Sequence, residues 1–309
     1  MRAGDPDPLS LQNGQLVEGR YRLEAPLGAG GTSEVWRGVD ERLGRRVAVK
    51  VLKPELSIGS IPARVEQEAR AAAQLRHPAI VEIYDVGKLE SGLPFIVMEY
   101  LVGLTVASLI EQRIRLEPVD AVSMLLPIVD GLAAAHAAGV VHRDVKPDNI
   151  FVCRLDRGIL QPKIVDFGVA RVTGPSDRRL TVVGTVVGTP VYMAPEQALG
   201  DGVPGPAVDV WAVGVTLYEA LTGRIPFEGQ TLQGLFASIL TAPLPYPRDV
   251  EDFDSALFSI LADATRKIAE QRPSSAELVR KLAGWLIERG VNADLSGRAL
   301  ASYGLQNPT

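Results

Sequence analysis

Residues 142–149 (HRDVKPDN) place an acid, a cation and an amide in one short stretch. Asp144 can orient a hydroxyl and accept its proton, Lys146 can neutralise a moving phosphate, and Asn149 can ligate a metal ion. A solvated charged turn is the simpler interpretation. It is hard to sustain because a DFG tripeptide follows, whose Asp166 offers a second oxygen ligand for a hard cation. The two segments together indicate phosphoryl transfer.

A glycine-rich stretch, residues 28–35 (GAGGTSEV), lies between two strand-like runs. Gly28 and Gly30 let backbone amides close over a phosphate chain without side-chain clashes. Alone, such a stretch is more often a simple turn. It also departs from the G-x-G-x-x-G pattern, because Ser33 stands where the third glycine would be. A dinucleotide-binding βαβ unit is disfavoured, because strands rather than a helix follow the glycines.

Lys50 ends the apolar run of residues 47–50 (VAVK), fifteen residues beyond Val35. On an adjacent antiparallel strand, its ammonium would come under the glycine stretch, within reach of phosphate oxygens. A strand lysine more commonly faces solvent. Here Glu68, on a predicted helix, is a candidate partner, and an ion pair with it would hold the ammonium over the phosphates.

The elements that position these residues follow from the apolar periodicity. Strands are predicted at residues 35–39, 46–52, 80–86 and 95–99, and a helix from about Ser60 to about Leu75, where His77 and Pro78 stop it. Helical spacing puts Glu68 on the apolar face of that helix, and a carboxylate there requires a cation. Helices are predicted at residues 121–138, 208–221 and 275–287.

This order of elements predicts an α+β fold with a small strand-rich lobe at residues 21–100 and a larger helical lobe at 101–289. We expect a flexible leader at residues 1–20, because Pro, Gly and Asp are frequent there, and a C-terminal tail at 290–309.

Composition excludes several classes of protein. The 309 residues are 46% hydrophobic and carry a net charge of −5. Nucleic-acid binding requires a positively charged surface, so the charge disfavours a nucleic-acid partner. The lone cysteine, Cys153, favours a reducing compartment, and cytoplasm is the default. The longest apolar stretch, residues 124–141, is interrupted by Pro127 and Asp130, which predicts a buried core helix and no membrane segment in this chain.

The ordered set of motifs resembles the eukaryotic-like serine/threonine protein kinases, from about Tyr21 to Leu286. Besides the segments above, it includes residues 188–190 (GTP), 194–196 (APE) and 209–211 (DVW). Lys146 and Thr189 are what serine/threonine members carry. Residues 31–34 (GTSE) and 77–81 (HPAIV) look most similar to bacterial signalling members.

The resemblance implies ATP and Mg²⁺ as cofactors, Asn149 and Asp166 as metal ligands, and protein substrates. It implies an adenine site formed by Val35, Ala48, Met98, Glu99, Leu101 and Phe151. It also implies several structural roles: a core stack of His142 on Phe167, a pair of Glu196 with Arg272, support of the catalytic loop by Asp209, and structural rather than catalytic roles for His77 and His136.

Regulation follows from the same resemblance, because Arg143 directly precedes Asp144. In this family, that arginine marks members whose activation segment is ordered by a phosphate. We expect phosphorylation at Thr185, with Thr181 as a second site, and a phosphate bridging Arg143 and Arg171. Self-association for autophosphorylation is one route to it.

Two alternatives remain open. A pseudokinase scaffold is disfavoured because Lys50, Glu68, Asp144, Asn149 and Asp166 are all present. A small-molecule phosphotransferase is disfavoured because the GTP and APE segments resemble a platform for a protein substrate.

Overall fold

A computed structural model describes residues 11–30, 33–53, 61–154, 160–167, 190–200 and 204–291, without the side chains of 61–65. The described residues form two compact units. The N-terminal unit contains those up to Arg76 together with Val81–Leu101. The C-terminal unit contains His77–Ile80 and the described residues from Val102 onward, up to 167 and again from 190.

The N-terminal unit is an antiparallel sheet with one helix. Its elements are β1 (Leu16–Val17), β2 (Tyr21–Ala29), β3 (Ser33–Asp40), β4 (Arg45–Leu52), α1 (Ile61–Ala72), β5 (Ile83–Lys88) and β6 (Pro94–Glu99). The strand order is β1-β2-β3-β4-β6-β5, and every pair is antiparallel. The central strand β4 is buried from Val47 onward, so its sequence is a continuous apolar run broken only by Lys50.

Alternation along the strands assigns opposite roles to the two faces of this sheet. One face carries the core of the unit, including Trp36, Val49, Phe95 and Val97. Because successive side chains point to opposite faces, Lys50 and its strand neighbours at even offsets belong to the other face.

The C-terminal unit is mainly helical. It contains a small sheet of β7 (Gly103–Thr105), β8 (Ile150–Arg154) and β9 (Leu160–Ile164), and the helices α2 (Val106–Arg113), α3 (Pro118–Ala137), α4 (Pro195–Leu199), α5 (Ala207–Thr222), α6 (Leu232–Thr241), α7 (Ser255–Ala264) and α8 (Ser275–Glu288). Helix α5 is buried along nearly its whole length, and its Trp211 stacks on Phe227 with ring centroids 5.2 Å apart. It is therefore the central helix of the unit.

Helix α3 is the only helix in the described part of the chain that is long and apolar enough to cross a membrane by length and composition. About two thirds of its apolar window (67%) is buried inside the structure, as predicted for a core helix. It begins at Pro118, three residues before the predicted start, because Pro118 is suited to a first helical turn.

A short segment, His77–Ile80, belongs to the C-terminal unit although both of its flanks belong to the other unit. The Ile164 amide donates to the Ala79 carbonyl (2.8 Å), and Gln161 donates to the Pro78 carbonyl (3.0 Å). The His77 ring bonds Asp130 of α3 (3.0 Å). The predicted start of strand 80–86 is therefore wrong: Ile80 forms a parallel bridge with Ile164, and β5 begins at Ile83.

Two further predicted boundaries differ from the structure. Helix α1 ends at Ala72 rather than Leu75, because its hydrogen bonds tighten to the i→i+3 pattern from Gln74 onward. The predicted flexible leader, residues 1–20, extends too far, since Val17 is buried in β1 and Arg20 forms an ion pair with buried Asp40 (2.7 Å). Residues 1–10 and 292–309 lie outside the described residues.

Candidate active site

The loop after α3 brings the predicted acid, cation and amide together. Lys146 Nζ lies 3.0 Å from Asp144 Oδ2. Asn149, in a single 3₁₀ turn, donates its amide nitrogen to the Asp144 carbonyl (2.8 Å) and to Asp144 Oδ2 (3.1 Å). Lys146 and Asn149 thus both bond Oδ2 of the Asp144 carboxylate. Because these bonds use the amide nitrogen of Asn149, its oxygen Oδ1 is the atom that would ligate the predicted metal ion.

The hairpin of β8 and β9 returns the chain from Asn149 to Asp166. The Val165 amide donates to the Asn149 carbonyl (2.9 Å), so the residue before Asp166 is hydrogen-bonded to Asn149, the other predicted ligand. Asp166 itself has a φ of 61°, a left-handed conformation that non-glycine residues seldom adopt. Strain of this kind is often concentrated at functional sites, where the surrounding structure holds it in place.

His142 is a core residue of this loop. Its side chain is fully buried, its Nε2 lies 2.8 Å from the Val165 carbonyl, and its ring is 4.7 Å from the Phe167 ring. Burial lowers the pKa of His142, so the ring stays neutral. The predicted stack is confirmed, and it connects the two ends of the site rather than supplying an acid or a base.

The side chain of Asp209 on α5 bonds the backbone of the loop. Its carboxylate accepts from the amides of His142 (2.8 Å) and Arg143 (2.7 Å), as predicted, and is completely buried. Arg143 has a φ of 65°. The left-handed conformation is unfavourable for an arginine, and two amides fixed by one carboxylate stabilise it. The backbone immediately before Asp144 is therefore fixed by Asp209.

The N-terminal unit gathers the predicted nucleotide-binding side chains on one sheet face. Lys50 pairs with Val35 on β3, and Ala48 pairs with Met98 on β6. These four side chains lie on the face opposite the core described above, because their register positions share one parity. Lys50 is buried, with 7% of its surface exposed. The predicted pair of Lys50 with Glu68 stays a prediction.

The described residues of the glycine stretch lie at the end of β2 and the start of β3. Gly28 pairs with Val35, and the Gly30 amide donates to the Ser33 carbonyl (2.8 Å). Ser33, the departure from the glycine pattern, is buried. Residues 31 and 32 lie outside the described part of the chain. At the end of β6, the Glu99 amide donates to the Glu82 carbonyl (2.9 Å), so Glu99 would offer adenine its carbonyl oxygen.

The donor set fits magnesium better than a transition metal. No group of three or more His, Cys, Asp or Glu side chains that could hold a metal occurs within the described ranges. Asn149 and Asp166 are hard oxygen ligands, and Mg²⁺ is commonly held by one or two such side chains together with water and phosphate oxygens.

Comparison with known families decides the classification. Residues 21–283 match the protein kinase domain family. The chain belongs to the protein kinase family. The predicted two-lobed fold class, with a small antiparallel sheet bearing one helix and a mainly helical second part, is confirmed.

Similar kinases come from bacteria. The chain is 41% identical over 253 residues to the serine/threonine-protein kinase PknL of Mycobacterium tuberculosis, covering 82% of this chain and 61% of that protein. It is 42% identical over 250 residues to PknA of the same organism (78% and 56%) and 43% identical over 225 residues to the probable serine/threonine-protein kinase SCO3848 of Streptomyces coelicolor (72% and 33%). The chain thus spans under two thirds of the length of these relatives. The predicted resemblance to bacterial serine/threonine kinases is confirmed.

The remaining predicted site residues lie partly outside and partly inside the described ranges. Thr181, Thr185 and Arg171, the proposed regulatory set, lie outside the described residues, as does Thr189. Phe151 and Leu101 are described and half-buried, at β8 and after β6. Their adenine roles, like the roles of the other site residues, stay predictions.

Supporting residues were only partly predicted. Arg272 forms the predicted pair with Glu196, and the pair is bidentate (2.7 and 2.8 Å). Gln197 was missed: it accepts from the Ala194 amide (3.0 Å) and donates to the Arg143 carbonyl (3.4 Å). Its position three residues after Ala194 at the start of α4 is the spacing of a helix-capping glutamine, the signal that could have identified it.

Proposed function

We propose that this chain is a serine/threonine protein kinase that transfers the terminal phosphate of ATP to Ser or Thr hydroxyls of proteins, including its own. The observation that carries the proposal is the orientation of Asp144 by Lys146 and Asn149 in a loop clamped by Asp209. A scaffold protein without turnover does not require that a carboxylate be oriented in this way.

In this proposal the substrate hydroxyl oxygen forms a new bond to phosphorus while the bond to the departing ADP oxygen breaks. Asp144 orients the hydroxyl and accepts its proton, and Lys146 neutralises charge on the phosphate. Catalysis is mostly positioning and charge neutralisation. The lysine beside Asp144 favours Ser and Thr over Tyr as acceptors.

ATP and Mg²⁺ are the proposed cofactors. Lys50 would bind phosphate oxygens, and Val35, Ala48, Met98 and Phe151 would contact adenine. Asn149 and Asp166 would hold Mg²⁺, which supplies charge neutralisation when bound.

Activation is proposed to follow phosphorylation of Thr185 or Thr181, with Arg143 and Arg171 binding the phosphate. We further propose a cytoplasmic location for this part of the protein and no nucleic-acid partner. Protein substrates are favoured over small molecules because the chain carries the GTP and APE segments.

Phosphate transfer from labelled ATP tests the proposal. The unmodified chain, Lys50→Met and Lys88→Met are each incubated with Mg²⁺ and a generic protein acceptor. Lys88 is the matched control, because it lies half-exposed on β5 and pairs with Glu66 (3.3 Å). We expect label on the acceptor and on the kinase itself with the unmodified chain and Lys88→Met, and its loss with Lys50→Met.

Three outcomes count against the proposal in different ways. Label that persists in Lys50→Met contradicts the role of Lys50. ATP binding without label on any acceptor, even after prior phosphorylation by another kinase, favours a pseudokinase. Label that appears only on small hydroxylated molecules favours a small-molecule phosphotransferase.

A further inference from the structure

A chain of buried hydrogen bonds runs from helix α8 to the catalytic loop. Ser275 Oγ lies 2.8 Å from His136 Nδ1, and His136 Nε2 lies 2.8 Å from Asp209 Oδ2. The same carboxylate accepts from the His142 and Arg143 amides, which precede Asp144. Residues of four separate segments are thus connected in series: α8, α3, α5 and the loop.

Each member of the chain is shielded from water. Ser275 has 4% of its surface exposed, the His136 side chain 9% and the Asp209 side chain none. In such surroundings, a polar atom that loses its partner cannot readily replace it with water. The alignment of each group therefore depends on the next one in the series.

The proton arrangement makes Ser275 the terminal partner of the ring. Asp209 as a carboxylate can only accept, so His136 Nε2 carries the proton directed at it. Nδ1 then accepts from the Ser275 hydroxyl in the neutral ring, or donates to that hydroxyl in the charged ring. In either state the hydroxyl fixes the orientation of the imidazole.

We propose that Ser275 is a positioning residue for the phosphoryl-transfer reaction, acting through His136 and Asp209 on the backbone of His142 and Arg143. The inference rests on the proposed kinase activity. Arg143 has a left-handed conformation, with a φ of 65°, and the bond from its amide to Asp209 helps to hold it there. Because Asp144 is the next residue in the chain, a change in the orientation of the Asp209 carboxylate shifts the Asp144 carboxylate.

Ser274 provides a matched control for Ser275. It is the N-cap of α8 and exchanges hydrogen bonds only within that cap, accepting from the Glu277 amide (3.3 Å) and bonding the Glu277 carboxylate (2.8 Å). Ser274→Ala therefore weakens the same helix without touching His136. Ser275→Thr retains the hydroxyl, and Ser275→Ala removes it while leaving no larger group to accommodate.

The experiment measures two quantities on the unmodified chain and the three variants. The first is hydrogen exchange of the His142 and Arg143 amides, which requires no catalysis. The second is kcat and KM for ATP, corrected for the folded fraction. For Ser275→Ala we expect exchange of these amides to rise about tenfold, the factor that corresponds to one buried hydrogen bond. We expect kcat to fall by about threefold or more with KM for ATP within about twofold, since the change affects alignment rather than binding.

Ser275→Thr should restore both quantities, and Ser274→Ala should change neither at these amides. The inference is overturned if Ser275→Ala and Ser274→Ala behave alike, or if kcat of Ser275→Ala matches that of an active unmodified chain. Absence of transfer by the unmodified chain would overturn the proposed function instead, and hydrogen exchange alone would then decide whether Ser275 positions the loop.

Discussion

At the scale of single residues, the central feature is the Asp144 carboxylate, which its neighbours hold in one orientation. Lys146 and Asn149 bond it directly, while His142 packs against Phe167 as a neutral ring. This geometry supports the proposed division of roles, in which the charged and amide side chains of the loop take part in transfer and the imidazole only supports the fold.

Substitution of the predicted metal ligand Asp166 tests this division. Asp166→Asn keeps the shape of the side chain but removes the anionic oxygen, so metal-dependent transfer should fall by about a thousandfold or more. Steady-state transfer with Mg²⁺ measures the effect. Asp148→Asn, on an exposed carboxylate of the same loop, should retain activity. Full turnover by a well-folded Asp166→Asn protein would contradict the assignment.

The sequence predicted residues whose partners are close along the chain. Asp144, Lys146 and Asn149 lie within six positions, so their joint chemistry can be read from spacing alone. Ser275 and His136 are separated by 139 positions, and Gln197 and Arg143 by 54. No local pattern encodes which distant helix supplies a partner, so these contacts required the structure.

At the scale of elements, the ion pair between Glu196 of α4 and Arg272 connects separate parts of the C-terminal unit. The Arg272 side chain is completely buried and also donates to the backbone carbonyls of Arg266 and Ala207 (2.7 and 2.9 Å). A buried guanidinium that loses its carboxylate cannot be solvated, so removal of Glu196 should destabilise the fold.

Glu196→Ala should lower the free energy of unfolding by about 3–5 kcal/mol, because it leaves the Arg272 charge buried and uncompensated. Urea unfolding measures the change. Asp249→Ala is the control: it removes the ion pair with Arg224 and should cost far less, because that pair is exposed and screened by solvent. Equal costs for the two substitutions would show that burial of Arg272 does not matter.

Helix α5 ends at Thr222, and the C-cap residue Gly223 has a φ of 70°. A Cβ at this position would lie 2.2 Å from the Ile114 carbonyl oxygen, so both backbone conformation and space require glycine. We expect Gly223→Ala to destabilise the protein by about 2 kcal/mol or more. Gly284→Ala, inside α8 where a Cβ meets nothing within 4 Å, should stabilise it by about 0.5–1 kcal/mol. Thermal unfolding of both variants compares the two signs.

Element boundaries show why periodicity alone was insufficient. Most predicted strands and helices agree with the structure to within three residues at each end. Ile80 was assigned to β5 because it continues an apolar run, yet its backbone neighbours bond to β9. An apolar residue satisfies either environment equally well, and only the distant strand decides between them.

At the scale of the whole molecule, buried ionisable groups determine how stability varies with pH. Lys267 donates to the Ile239 carbonyl (2.7 Å) and lies 3.9 Å from the centre of the Phe227 ring. Burial, together with the nearby charge of Arg272, lowers the pKa of Lys267 from 10.5 to about 8. Between these values the unfolded chain binds more protons than the folded one, so the contribution of Lys267 to stability rises with pH.

We therefore compare the Tm of the unmodified chain with that of Lys267→Met. Between pH 7.5 and pH 9.5, the Tm of the unmodified chain should rise relative to that of the variant. Tyr21 and Tyr192 oppose this trend at higher pH, because burial raises the pKa of each. Both proteins contain these tyrosines, so their contribution cancels in the difference. Parallel Tm curves for the two proteins would rule out the titration of Lys267.

The placement of His77–Ile80 has a consequence for how this protein can be divided. The chain enters the C-terminal unit at His77, leaves it after Ile80 and re-enters it at Val102. A single cut after Leu101 would therefore remove from the C-terminal piece the partners of Ile164, Gln161 and Asp130. A C-terminal fragment that is to keep these contacts must therefore carry His77–Ile80 as well, which no single cut of the chain between Ile80 and Val102 provides.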